Sequence, residues 1–245
     1  MSSACSPQGC RRSRCVRSCG RSGSSAKSLP PVQSGLSFLD LIARQVLWLR
    51  EEEGSELPLL LMNSFRTRDA CLAALNRYSE IKGRPCVIFL QHRVPRVDVE
   101  TNYPVEWTAP PDLEWCPPGH GDLYSSLQSR GLLSQLSAAG IRYAVVSNED
   151  NLGGTLDLSI LGWFASRTIP FAMEVADRTS ADKKSGHLTR RERRLILRES
   201  AQCAPADLAD FRNIRRHHYL NTNNLWLDLD ALAAKLKESP ACCCR

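Results

Sequence analysis

Residues 122–153 read DLYSSLQSRGLLSQLSAAGIRYAVVSNEDNLG. The segment predicts a helix over 122–139, closed by Gly140, then a strand over 142–146, and directly after it the polar group Asn148, Glu149 and Asp150. Helix, glycine, strand and polar strand end form one unit of an alternating fold. Outward from it the same alternation recurs. Upstream, Ser37 followed three residues later by Asp40 is a capping box ahead of Phe38, Leu39, Leu41, Ile42 and Val46, so a helix starts there. The continuous apolar run 57–62, with Pro58 near its start, reads as a strand covered on both faces by helices. A helix over 67–78 and a strand over 86–90 follow. Downstream, 156–167 reads as helix, 171–175 as strand, 188–198 as an antiparallel ribbon, Tyr219 and Leu220 as the end of a strand, and 229–237 as helix. This order predicts an α/β domain with a mostly parallel sheet. There is no internal repeat of roughly 20 to 50 residues.

The 245 residues, 42% hydrophobic and 24% charged, suit one domain with a substantial buried core. No apolar run is long enough to cross a bilayer, and no secretory h-region is present near the start. Formal charge is +6, but Arg11, Arg12, Arg14, Arg17, Arg21 and Lys27 all precede the first acidic residue, Asp40. Residues 1–26, rich in Ser, Arg, Gly and Cys, lack apolar periodicity and are expected to form a disordered basic tail, as are residues 239–245. Such a tail can attract nucleic acid, yet it has no interleaved aromatics, so a solvated tail is the simpler reading. The tail also resembles an organelle transit peptide in composition, weakly; the expectation is a cytoplasmic protein without a membrane partner. Seven of the 11 cysteines lie near the two ends, and Cys71, Cys86, Cys116 and Cys203 are scattered without paired spacing. A reduced core follows from that arrangement.

Ligands of open α/β sheets collect at the carboxyl ends of the strands. Past the predicted strands stand Asn63 and Ser64, then Gln91, His92 and Arg93, then Asn148, Glu149 and Asp150, then Asn221, Asn223 and Asn224. Any one cluster is explained by turn and cap chemistry. Four on one edge point to a polar ligand, and amides with a lone carboxylate suit sugar hydroxyls, a base edge and a metal ion. The loop 115–122, WCPPGHGD, leads into a helix, and its glycines allow backbone to approach a ligand while the helix start offers amides to phosphate.

Those residues carry a resemblance. PPGHGD at 117–122, followed by Leu123 and Tyr124, resembles the PPGHGD-I-Y segment of eukaryotic-type UTP-glucose-1-phosphate uridylyltransferases, also called UDP-glucose pyrophosphorylases. LLLMNSF at 59–65, VSNEDNLG at 146–153, MEVADRTSAD at 173–182 and NTNNLW at 221–226 are similar to that family's blocks in the same order, the last identically. The similarity runs from about Lys27 to Leu236. It implies a Rossmann-like nucleotidyltransferase domain over 27–238 with a mostly parallel mixed sheet, with Mg2+ as cofactor and UTP and glucose 1-phosphate as substrates. By the resemblance Gln91 contacts uracil, Gly119 approaches the nucleotide, His120 contacts the sugar phosphate, and Asn148 and Asp150 flank the reacting phosphates, with Asp150 a Mg2+ ligand. Glu199, Asn221 and Asn223 would hold sugar hydroxyls, while Lys27 and Lys184 would serve catalysis by neutralising phosphate. Without the resemblance, Asp150 reads equally as a helix cap, Lys184 as a solvated charge beside Lys183, and Glu199 as a surface carboxylate.

The chain also departs from the family pattern. Where the family has a glycine-rich phosphate loop, residues 19–28 read CGRSGSSAKS, and only Lys27 and Ser28 match. The first strand that should precede that loop is expected to be missing, as are the family's later catalytic lysine segment and terminal β-helix. Two functions follow: a uridylyltransferase forming UDP-glucose, or a non-catalytic sugar-nucleotide-binding remnant.

Overall fold

The computed structural model describes residues 13–18, 21–22, 25–82, 86–107, 111–182 and 185–238, with backbone alone at 13–18, 21–22, 25 and 111. Lys184, one of the expected site residues, lies outside the described residues. In chain order the strands of the main sheet are β1 (Ser13–Ser18), β2 (Leu59–Asn63), β3 (Cys86–Leu90), β4 (Tyr143–Asn148), β5 (Phe171–Asp177), β6 (His187–Arg191), β7 (Arg194–Arg198) and β8 (Tyr219–Asp228). The helices that cover it are α1 (Phe38–Glu52), α2 (Arg68–Leu75), α3 (Asp122–Ser129), α4 (Leu132–Ala138), α5 (Leu158–Ser166) and α6 (Leu229–Glu238).

Strand order is β7-β6-β8-β4-β1-β2-β3, with β5 paired to β8. β4, β1, β2 and β3 are mutually parallel, whereas every pairing of β5, β6, β7 and β8 is antiparallel. The sheet is mixed, as expected, but parallel in one half only, which corrects the expectation that it would be mostly parallel. Periodicity cannot show this difference, because a buried strand looks the same in either direction. β8 carries β5 along one flank and shares the other between β4 and β6.

A second correction concerns β1. The segment 1–26 was expected to lie outside the fold and the first strand to be absent, yet Ser13–Ser18 pairs with Tyr143–Asn148 on one side and Leu59–Met62 on the other. Backbone ladders on both flanks hold this strand, and they need no apolar pattern along it. Beyond β1 the chain returns through a short antiparallel ladder, Arg21 opposite Ala26 and Ser22 opposite Ser25.

Two apolar layers follow from alternation along the strands. Leu60, Met62, Ala144, Val146 and Leu227 face α3, α4 and α6 through Leu123, Leu127, Leu133, Leu136 and Leu229. On the opposite face Leu59 and Leu61 meet α1 and α2 through Leu39, Ile42, Val46, Cys71 and Leu75, and Val145 and Trp226 meet Leu161 and Phe164 of α5. β2 is buried at all five positions, as a strand covered on both sides must be. Each large apolar side chain so removed from water contributes about 1.5 to 3 kcal/mol.

The helix starts follow the expected chemistry. Ser37 and Asp40 form the capping box of α1, and the buried Asp40 carboxylate also accepts from Arg77 (2.9 Å) and Tyr78 (2.8 Å). Asp157 caps α5 by accepting from the amides of Ser159 and Ile160. The single helix expected over 122–139 is two, because Gly131 takes a left-handed φ of 67° between α3 and α4.

Candidate active site

The carboxyl ends of β1, β2, β3 and β4 lie along one edge, and the antiparallel β8 brings its first half to the same edge. Its course differs from expectation. Tyr219 and Leu220 do not end a strand; they begin a ten-residue strand, and Asn221, Asn223 and Asn224 lie inside it. The ladder with β5 slips between Met173, opposite Leu225, and Val175, opposite Asn221, so residues 222–224 bulge opposite Glu174. At the bulge Asn223 has φ 59°, a conformation that asparagine tolerates better than most residues. A bulge re-aims the side chain it carries.

Asn223 is aimed across the edge. Its Nδ2 donates to Asn148 Oδ1 at 2.7 Å, at the end of β4, and to His120 Nδ1 at 3.3 Å, in the loop before α3. Its own amide donates to Asn221 Oδ1 at 2.8 Å. An amide nitrogen only donates, so His120 accepts through Nδ1 and carries its proton on Nε2 when neutral. His120 is exposed, but the groups around its ring cost it part of its hydration and lower its pKa from 6.5; Asp150 opposes that shift, Lys27 adds to it and Glu199 opposes it. His120 is therefore a neutral Nε2–H donor at pH 7. Gly119, beside it, has φ 103°, which requires glycine.

Lys27 Nζ lies 3.7 Å from Asp150 Oδ2, both half-exposed. Glu199 stands against Gly186, where a Cβ would meet its carboxylate, and Gly186 in turn accepts the Asn221 amide at 3.0 Å. Gln91 leaves β3 with its amide donating to Asn63 O at 2.9 Å. The structure thus brings Lys27, His120, Asn148, Asp150, Glu199, Asn221 and Asn223 into one neighbourhood, with Gly119 next to it and Gln91 farther along the same edge.

Other polar residues of that edge are used internally. Asn63 is fully buried and accepts from Thr67 Oγ1 at 3.2 Å, while the Ser64 amide donates to the same hydroxyl oxygen at 3.1 Å, closing the turn into α2. His92 spends its amide and Nδ1 on Asp122, at 2.6 and 2.8 Å. Burial would raise the pKa of Asp122, but hydrogen bonds from Ser125, His92 and Ser126 outweigh it and hold the carboxyl below its ordinary range. That cluster locks the start of α3.

Behind the site lies a network that the sequence reading passed over. Glu174 of β5 accepts from Asn224 Nδ2 (2.9 Å) and Trp226 Nε1 (2.6 Å), and Asn224 Oδ1 accepts from Ser147 Oγ (2.8 Å) and Asn151 Nδ2 (3.0 Å). Gly154 leaves room for it, since a Cβ there would come within 2.7 Å of Asn224 Oδ1. The available signal was a lone carboxylate in the apolar run 171–175, FAMEV.

The chain as a whole has close relatives. The sequence profile of the UTP-glucose-1-phosphate uridylyltransferases matches residues 20–242. The chain belongs to this family. A uridylyltransferase of Saccharomyces cerevisiae is 41% identical over 215 residues, 87% of this chain and 43% of that protein, and one of Solanum tuberosum is 39% identical over 207 residues, 84% and 43%. Among solved structures, the UDP-glucose pyrophosphorylase of Leishmania major superposes with a TM-score of 0.88 at 35% identity, covering 98% of this chain and 54% of that one. A variant of the same protein solved in complex with UDP-glucose gives 0.89 at 36%. The Trypanosoma brucei structure gives 0.87 at 38% over 94% of this chain. The chain spans about half the length of the uridylyltransferases it matches. Among the described residues no helix is long and apolar enough to cross a membrane.

Among the described residues there is also no group of three His, Cys, Asp or Glu side chains that could by itself hold a metal ion. Mg2+ commonly takes one or two carboxylates and completes its shell with water and substrate phosphate. The half-exposed Asp150 carboxylate, with Asn148 two residues before it, fits that mode.

Proposed function

We propose that this chain carries the sugar-nucleotide site of a uridylyltransferase that forms UDP-glucose and pyrophosphate from UTP and glucose 1-phosphate. The observation that carries the reading is the convergence of Asn223, Asn148 and His120 beside the Lys27–Asp150 pair, from segments nearly 200 residues apart in the chain.

In the reaction a phosphate oxygen of glucose 1-phosphate attacks the α-phosphorus of UTP in line; the new P–O bond forms as the bond to the leaving pyrophosphate breaks. No protein nucleophile is needed. Two anions must be held in reacting geometry, which in well-oriented intramolecular cases is worth roughly 7 to 11 kcal/mol. His120, neutral and donating through Nε2, can bind a phosphate oxygen without taking its proton. Lys27 supplies positive charge where charge shifts towards pyrophosphate, and Lys184 would add to it. Asn221, Asn223 and Glu199 offer amide and carboxylate partners to sugar hydroxyls, Gln91 offers an amide to the uracil edge, and Gly119 lets backbone approach the nucleotide. Asp150 would hold Mg2+, which when bound neutralises phosphate charge.

The second reading, a binder that does not turn over, is favoured by one observation. Where the family pattern has a glycine-rich phosphate loop, this chain has the short ladder of Arg21 and Ser22 with Ser25 and Ala26. A pyrophosphate-release assay with UTP, glucose 1-phosphate and Mg2+ separates the two. Turnover establishes the transferase; calorimetric binding of UDP-glucose without pyrophosphate release leaves the binder; neither signal overturns both.

A further inference from the structure

The β-bulge of β8 is held from outside the site. Opposite residues 222–224, Glu174 makes three bonds across the strands: its carbonyl accepts from Thr222 Oγ1 at 2.8 Å, and its carboxylate from Asn224 and Trp226. Trp226 is 2% exposed and Asn224 5%, so neither donor has ready access to water as a substitute. The backbone that carries Asn223, between Thr222 and Asn224, is therefore pinned on both sides.

A carboxylate accepts only, and that imposes a direction on everything beyond it. Because Glu174 takes N–H from Asn224, the Asn224 amide must present Oδ1 to the far side, where Ser147 Oγ and Asn151 Nδ2 donate to it. Ser147 and Asn151 flank Asn148 and Asp150. One carboxylate on β5 thereby sets the bulge that carries Asn223 and the amide orientations in the loop that carries Asn148 and Asp150.

We propose that Glu174 is a positioning residue: through the one-way hydrogen-bond relay Glu174, Asn224, Ser147 and Asn151, it fixes Asn223, Asn148 and Asp150 for sugar-nucleotide binding without touching ligand. The inference rests on the functional reading above. It also makes a chemical distinction that packing alone does not. Glu174→Gln keeps the shape, but the donor-only Trp226 claims the glutamine oxygen and an NH2 group then faces Asn224. The Asn224 amide must reverse, which sets its Nδ2 against that of Asn151. Adding Asn224→Asp restores the direction, because the carboxylate introduced at position 224 accepts from the new glutamine amide, Ser147 and Asn151 alike. Asn224→Asp alone places two carboxylates face to face.

The test titrates UDP-glucose by calorimetry into the unsubstituted chain, E174Q, N224D and the E174Q/N224D pair, and measures hydrogen exchange over 219–225 without ligand. Losing a charge-assisted bond of this kind should weaken binding about tenfold or more in each single variant. Exchange at positions 223 and 224 should quicken in both, and the pair should return to within about threefold of the unsubstituted chain on both readouts. A contribution from packing volume alone predicts no effect of Glu174→Gln and no rescue. Unchanged binding and exchange in E174Q, or a folded pair no better than the singles, overturns the proposal. If a single variant unfolds, the pair still decides, since it must fold and bind. If the unsubstituted chain does not bind UDP-glucose, the functional reading fails, while the exchange data still decide whether the relay exists.

Discussion

The polar residues that close β2 and open the loop after β3 and those on the bulge of β8 meet one edge with similar chemistry and are used in opposite ways. At the ends of β2 and β3, Asn63, Ser64 and His92 are consumed by Thr67 and Asp122, and their work is to hold turns and the start of α3. In β8 the asparagines lie on a bulge, and Asn223 reaches outward to Asn148 and His120. Residue type alone does not separate a structural amide from a presented one. What separates them is whether a local partner satisfies the group before a ligand can.

The contrast breaks first at Asp122. This carboxylate holds His92, Ser125 and Ser126, so Asp122→Ala should cost about 3 kcal/mol of unfolding free energy, read by urea titration. A loss below about 0.5 kcal/mol would show that the parallel half does not depend on it.

Acid probes the antiparallel half. His187 of β6 is fully buried and stacked on His217 at 4.0 Å, and burial, with the nearby charges of His217, Arg178 and Arg198, pushes its pKa down from 6.5 to about 4. The unfolded chain binds this proton at higher pH than the folded one, so this contribution is complete above pH 6.5 and is lost as pH falls towards 4. The loss amounts to roughly 2 to 3 kcal/mol at the lower end. In His187→Gln the slope of stability with pH across that window should flatten; an unchanged slope assigns the acid sensitivity elsewhere.

The smallest effects sharpen the contrast. Asn63→Ala should lower stability by about 1 to 2 kcal/mol, because Thr67 loses a buried acceptor, and should leave affinity for UDP-glucose alone. Asn223→Ala should do the reverse, weakening affinity while lowering stability by only about 1 kcal/mol, the share of the left-handed backbone at that position, as thermal melting would show. A large stability loss in Asn223→Ala places that residue with the structural amides.

Much of this was legible in the sequence. The capping box at Ser37 and the strand at 86–90 stand where cap chemistry and periodicity put them, and the buried strand expected over 57–62 runs over 59–63, because local rules decide them. β1 was missed because its pairing comes from neighbours on both flanks rather than from its own pattern. The length of β8 was missed because four polar residues in a row look like a strand's end, and only the partner strand reveals a bulge. At the edge, the sequence named the residues that now lie together, His120, Asn148, Asp150 and Asn223 among them. It overlooked Glu174, whose importance comes from what stands across the sheet.

The most direct measurement is calorimetric titration of UDP-glucose into the chain and its Asn223→Ala variant. The account predicts one saturable site in the unsubstituted chain and an affinity about tenfold weaker in the variant, the loss of one or two hydrogen bonds to ligand and loop. Equal affinity in the two proteins, or no binding in either, would contradict the claim that these loops jointly grip a sugar nucleotide.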